Sequence, residues 1–192
     1  MSLQTTASQT IGPYLHIGTD WLNTADLADP GVPGERIVLQ GCLLDGDGKP
    51  VTDGLIELWQ ADADGHYAHP DDPAYVPGQS GFRGFGRVPT DGQGRFRFTT
   101  IKPGRVAGAG GRPQAPHIMV NVFARGLLKQ LSTRVYFPDG AGNDDDPVLA
   151  QVPAGRRPTL IARAGAEAGV LEWDIVLQAS ASHPDETVFF DI

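Results

Sequence analysis

One cysteine, Cys42, is present among 192 residues. That excludes an internal disulfide and suits a reducing compartment, where an unpaired cysteine serves as a small buried strand residue. Long apolar runs are missing too: no stretch approaches the ~20 residues that cross a bilayer. The opening residues, Met1-Ser2-Leu3-Gln4-Thr5-Thr6, lack a basic segment followed by an apolar one, so no secretory signal is expected and the cytoplasm is the expected location. Basic residues are few, 15 Lys and Arg against 23 Asp and Glu, for a net charge of −8. A binder of the nucleic-acid backbone needs clustered Lys and Arg, so that class is excluded. A small anionic ligand is not excluded, because one well-placed arginine acts locally inside an acidic protein. Helical periodicity is scarce as well, and only residues 158–168 read as a short helix.

Glycine and proline, by contrast, are plentiful, with 25 and 16 copies. They fall as punctuation between short apolar runs, the pattern of an all-β domain with many turns. The length suits one domain with a sizeable core. Residues 36–44 predict the first strand, closed by Asp45-Gly46-Asp47-Gly48, a strong turn signal. Residues 55–60 alternate, with Ile56, Leu58 and Gln60 on one face and Leu55, Glu57 and Trp59 on the other. The turn Asp91-Gly92-Gln93-Gly94 precedes a strand over 95–101, where Phe96 and Phe98 alternate with Arg95, Arg97 and Thr99. Further strands are expected over 117–123, 131–137, 170–177 and 187–191. The fold class is therefore all-β: a single β-sandwich over 36–192 with long loops and little helix, preceded by an extended arm over 1–35. The run Asp144-Asp145-Asp146 lacks the spaced ligands and glycine of a calcium loop and reads as solvated.

Two stretches concentrate residues able to hold a metal. Gly65-His66-Tyr67-Ala68-His69 lies in the long loop after the second strand, and Ala115-Pro116-His117-Ile118-Met119 enters a later strand. Tyrosinate and imidazole together suit a hard, oxidising cation such as ferric iron. A His-x-His pair on a strand would put both imidazoles on one face, because side chains repeat every two residues. Here the second position is Met119, whose soft thioether is a poor substitute for imidazole on ferric iron. Taken alone, these residues leave two readings open. His66, Tyr67 and His69 are loop residues or ligands, and His117 is a hydrogen-bonded histidine or a ligand.

Longer spaced motifs carry more information. Leu55-Ile56-Glu57-Leu58-Trp59-Gln60-Ala61-Asp62 is followed by Gly65 and Tyr67. Gly84-Phe85-Gly86-Arg87, Thr90-Asp91, Phe96-Arg97-Phe98 and Thr100-Ile101-Lys102-Pro103-Gly104 come next in order. Gln9-Thr10, Gly12-Pro13-Tyr14, Phe123-Ala124-Arg125-Gly126 and Thr187-Val188-Phe189-Phe190-Asp191 extend the set to nearly the whole chain. In this order the motifs resemble the intradiol ring-cleaving dioxygenases, and most of all the chain of the two-chain members that does not hold the iron. The resemblance implies an assembly that opens a carboxylated catechol, protocatechuate, with dioxygen between its two hydroxyl-bearing carbons, giving 3-carboxy-cis,cis-muconate.

In the iron-binding members two tyrosines and two histidines hold the metal, and an arginine three residues before the first histidine assists. The resemblance sets Tyr67 and His117 at the first tyrosine and first histidine, Val106 and Met119 at the second of each, and Gln114 at the arginine. It thus implies a vestigial cleft, with Fe(III) bound by a homologous iron-binding β subunit. It further implies a higher hetero-oligomer in which the 1–35 arm packs on that partner and Thr10, Gly12 and Pro13 reach over its iron; Arg125 is a solvated strand-end arginine or a holder of the substrate carboxylate, in this chain's cleft or the partner's. Arg134 stands where iron-binding members carry glutamine and is a second candidate for substrate or interface contact. Two other readings are a homomeric enzyme with a metal site built from His66, Tyr67, His69 and His117, and a transthyretin-like binding or scaffold module.

Overall fold

The structure, a computed structural model, describes residues 7–12, 15, 17–78, 81–140 and 142–191. In chain order the strands are β1 (Arg36–Leu44), β2 (Leu55–Trp59), β3 (Phe85–Pro89), β4 (Arg95–Ile101), β5 (Val106–Ala107), β6 (Pro113–Gln114), β7 (His117–Phe123), β8 (Leu131–Tyr136), β9 (Arg163–Ala164), β10 (Val170–Glu172) and β11 (Ile175–Val176). β1 pairs antiparallel with β4, and its other edge takes β10 and then β11 in parallel, with β9 beyond β10. The second sheet is antiparallel in the order β3-β2-β7-β8, and β5 and β6 form a small separate hairpin.

The period-two pattern sets which faces meet. Ile37, Leu39 and Leu43 of β1 and Phe96 and Phe98 of β4 share one buried core with Ile56 and Leu58 of β2 and Ile118, Val120 and Val122 of β7. Burying each such side chain contributes about 1.5–3 kcal/mol. A one-residue slip of β7 would turn Val120 and Val122 out and bring Met119 and Asn121 in, so the register is strongly specified. Gln60, expected on this inner face, is buried at the end of β2 with its polar atoms satisfied. Its Nε2 donates to the Ala61 and Ile101 carbonyls, and its Oε1 accepts from Thr100 Oγ1. The all-β sandwich is thus as expected.

Details differ from the sequence pattern where side chains break a strand. Residues 170–177 form two strands, because Trp173 and Asp174 interrupt the pairing with β1. A Cβ at Gly41 would lie 1.8 Å from the Trp173 carbonyl oxygen, so only glycine admits the approach, and Asp174 Oδ1 takes the hydrogen bond of Cys42 N–H at 2.9 Å. The stretch 187–191 is a bridge of Phe190 to Ser132 rather than a strand. The helical segment is a 3-10 turn over Ala154–Leu160, earlier than expected, with Thr159 O accepting from Trp173 Nε1; the next residues enter β9. The sandwich also takes in part of the 1–35 segment, since Thr24, Asp26 and Ala28 bridge to Arg87, Thr99 and Phe82 and Leu27 lies in the core. Among the described residues no helix is long and apolar enough to cross a membrane.

Candidate functional site

The outer face of the second sheet, turned away from the core, carries one group of the expected residues. Trp59, Met119 and Arg134 are cross-strand neighbours in a row over β2, β7 and β8, and His117 pairs with Tyr136 next to them. Three loop regions close onto this floor. The loop after β2 brings Tyr67, the β5–β6 hairpin brings Val106 opposite Gln114, and the segment after β8 brings Asp146.

Tyr67 stacks on Trp59 with ring centroids 5.8 Å apart and planes 7° from parallel. Its loop is fixed from behind: Asp72 accepts from Tyr67 N–H and Ala74 N–H, and these backbone bonds hold the Asp72 carboxyl below its usual pKa. Gly65 permits the turn, at φ +87°, where a Cβ would fall 2.0 Å from the Arg105 carbonyl oxygen. Burial raises the Tyr67 phenol pKa; Arg134 opposes the rise and Asp72 adds to it. His66 is engaged outside, with Nδ1 at 3.2 Å from Asp72 Oδ1, and His69 stands edge-on to Trp59. Among the described residues no three histidine, cysteine or carboxylate side chains converge on a point.

Deeper in, His117 Nδ1 donates to the Ala115 carbonyl at 2.7 Å, which leaves Nε2 as the unprotonated nitrogen of the neutral ring. Burial, together with the Arg134 charge, lowers the His117 pKa to about 4. Tyr136 donates to Asp146 Oδ1 at 3.1 Å; burial first, then Asp146, pushes its phenol far up, and the Arg134 charge opposes the rise. Arg134 Nη1 donates to Gln114 Oε1 at 2.6 Å.

Asp146 was expected in solvent and is instead fully buried. Its carboxylate also accepts from the N–H groups of Ala115, Val148 and Leu149 at 2.8, 2.9 and 2.7 Å. Asp144 and Asp145 are the exposed members of the run. The Asp-Pro step before Val148-Leu149 is the signal that identifies it, because an aspartate ahead of a proline-led turn caps the free N–H groups that follow.

A second group assembles elsewhere. Thr10 Oγ1 accepts from Gly126 N–H at 2.8 Å, and Arg125 Nε sits 3.1 Å from Asp53 Oδ2 with its side chain 80% exposed. Ile11, Gly12, Leu15, Thr52, Leu55 and Arg125 line a cavity of about 370 Å³. Pro13 lies outside the described residues. Thr10, Gly12 and Arg125 thus come together, whereas Arg134 belongs to the cleft above Met119.

Known proteins supply a frame for both groups. The family model described as Dioxygenase matches residues 12–179. The protocatechuate 3,4-dioxygenase alpha chain of Burkholderia cepacia is 44% identical, covering 100% of this chain and 99% of its own. The chain belongs to the intradiol dioxygenase family. The protocatechuate 3,4-dioxygenase beta chain of Burkholderia cepacia is 40% identical over 80% of this chain and 68% of its own. Among solved structures, the dioxygenase domain of a carbohydrate-binding fusion from Streptomyces sp. SirexAA-E superposes with a TM-score of 0.64 at 26% identity, covering 81% of this chain and 88% of that one.

The intradiol family is iron-dependent, so the cleft can be tested for fit. Tyr67 and His117 offer hard donors. Val106, buried on the hairpin, offers none, and Met119 offers only a thioether. Arg134 brings a permanent positive charge to Tyr136 and Gln114 in the same cleft. This set does not fit ferric iron.

Proposed function

We propose that this chain is the alpha subunit of a protocatechuate 3,4-dioxygenase, and that it completes an active site whose Fe(III) is held by a homologous beta subunit. The full-length likeness to an alpha chain carries the reading, and the donor set of the cleft supports it. The assembly is an oxidoreductase that adds both atoms of O2 to protocatechuate and yields 3-carboxy-cis,cis-muconate in the cytoplasm. This chain contributes binding and positioning. The backbone at Gly12, where a Cβ would meet nothing of this chain within 4 Å, forms part of a lining for the flat ring. Arg125, with Nε on Asp53, directs its remaining donors outward to the substrate carboxylate. The described part of the 1–35 arm that lies outside the sandwich packs on the partner, and exposed Ile17 and Trp21 are apolar side chains for that contact.

The test is iron content and protocatechuate cleavage by this chain purified alone and after co-expression with the beta chain. Iron and turnover in the co-purified complex alone are expected. One iron bound per isolated chain would refute the assignment of the metal to the partner.

A further inference from the structure

Gln114 and Arg134 stand on different elements, the β5–β6 hairpin and β8, and meet through the 2.6 Å bond from Arg134 Nη1 to Gln114 Oε1. The same guanidinium is close enough for its charge to act on Tyr136, Tyr67 and His117. It therefore lies among the two ligand-type residues that the cleft retains. It stands opposite Met119, next to the His117–Tyr136 pair of the same two strands. A guanidinium keeps its charge at any physiological pH and has donors only, so it can satisfy oxygen and nitrogen lone pairs as a cation does but cannot ligate one. Asp146 is not a free ligand for a metal here, because its oxygens are taken by Ala115, Val148, Leu149 and Tyr136.

We propose that the Arg134 guanidinium is the resident cation of this cleft: it replaces the charge of a metal, joins the hairpin carrying Gln114 to the floor of the sheet, and keeps a metal ion out. The inference rests on the reading of Tyr67, Val106, His117 and Met119 as former ligand positions. It adds that restoring ligands is insufficient while the guanidinium is present.

Two full-chain variants decide it, Val106→Tyr/Met119→His and the same pair with Arg134→Gln added. Each is loaded with Fe(III), desalted, and assayed for bound iron and for visible tyrosinate-to-iron absorption. The triple variant is expected to bind iron with about ten-fold or greater advantage in affinity over the double variant. Equal iron in both, whether full or nil, overturns the proposal. If either variant fails to fold by circular dichroism, single substitutions in the natural sequence decide instead. Arg134→Met should lower the thermal midpoint and Arg134→Lys, which keeps the cation, should restore part of it; equal midpoints for the two overturn the proposal. Iron in the unmodified chain would overturn the partner-held metal and this proposal together, whereas equal iron in the double and triple variants overturns this proposal alone, so the two failures are distinguishable.

Discussion

The hydroxyl of Thr10 accepts a hydrogen bond from the backbone N–H of Gly126 at 2.8 Å. That bond ties the N-terminal segment to the residue after Arg125, so Thr10, Gly12 and Arg125 sit together at one end of the second sheet. The cleft with Tyr67 and His117 is at the other end of β7. His117 opens the strand and Arg125 stands two residues past its end, a separation of roughly 25 Å at about 3.3 Å per residue. An arginine side chain does not span that distance, so Arg125 does not reach the cleft that holds Tyr67 and His117.

Replacing Arg125 with alanine should therefore leave the complex assembled and raise KM for protocatechuate while kcat changes little. A charge-assisted hydrogen bond contributes ~1.5–3 kcal/mol, which corresponds to about 10- to 150-fold in KM. Steady-state kinetics on the co-purified complex check this. Unchanged KM, or loss of assembly, would remove the substrate role.

Asp146→Asn should destabilise the chain. The carboxylate accepts from three backbone N–H groups and from Tyr136, and an amide presents one oxygen where there were two. A cost of about 1.5–3 kcal/mol is expected for the charged acceptor, read as a lower denaturant midpoint at unchanged slope. Asn substitution at exposed Asp144 is the control and should cost almost nothing.

His117 makes stability depend on pH. Its folded pKa, about 4, lies below the ordinary 6.5, so between these values the unfolded chain binds a proton that the folded chain refuses. Stability is full above pH 6.5 and falls as the pH drops toward 4, by about 3 kcal/mol in total for the single site. The depressed carboxyl of Asp72 starts to matter only at lower pH, below its ordinary 3.8. Denaturant melts from pH 7 to 4 should show the slope, and His117→Gln should flatten it. An equal slope in the variant would assign the effect to other groups.

Local alternation was legible without coordinates. The strands over 36–44, 95–101 and 117–123 were read to the residue, and the two faces of β2 were separated correctly. Each depends on side chains repeating every two residues and on turn glycines, which are properties of a short window. What failed was decided by neighbours far along the chain. Residues 170–177 carry a continuous strand pattern, yet the Trp173 carbonyl pressed on Gly41 and the Asp174 carboxylate bound to Cys42 divide them. Asp146 looked like its exposed neighbours because its burial is created by Ala115 and Tyr136.

The residue types of the candidate site, the identity of the family and the presence of valine and methionine rather than hard donors at 106 and 119 were determined by the sequence alone, since each is a matter of which side chain stands where. The tertiary structure decided that Gln114 meets Arg134 across 20 residues and that Thr10 meets Gly126 across 116. Neither contact has a local signature. Each forms because packing the two sheets fixes the strand ends, and the strand ends then determine which loops can reach each other.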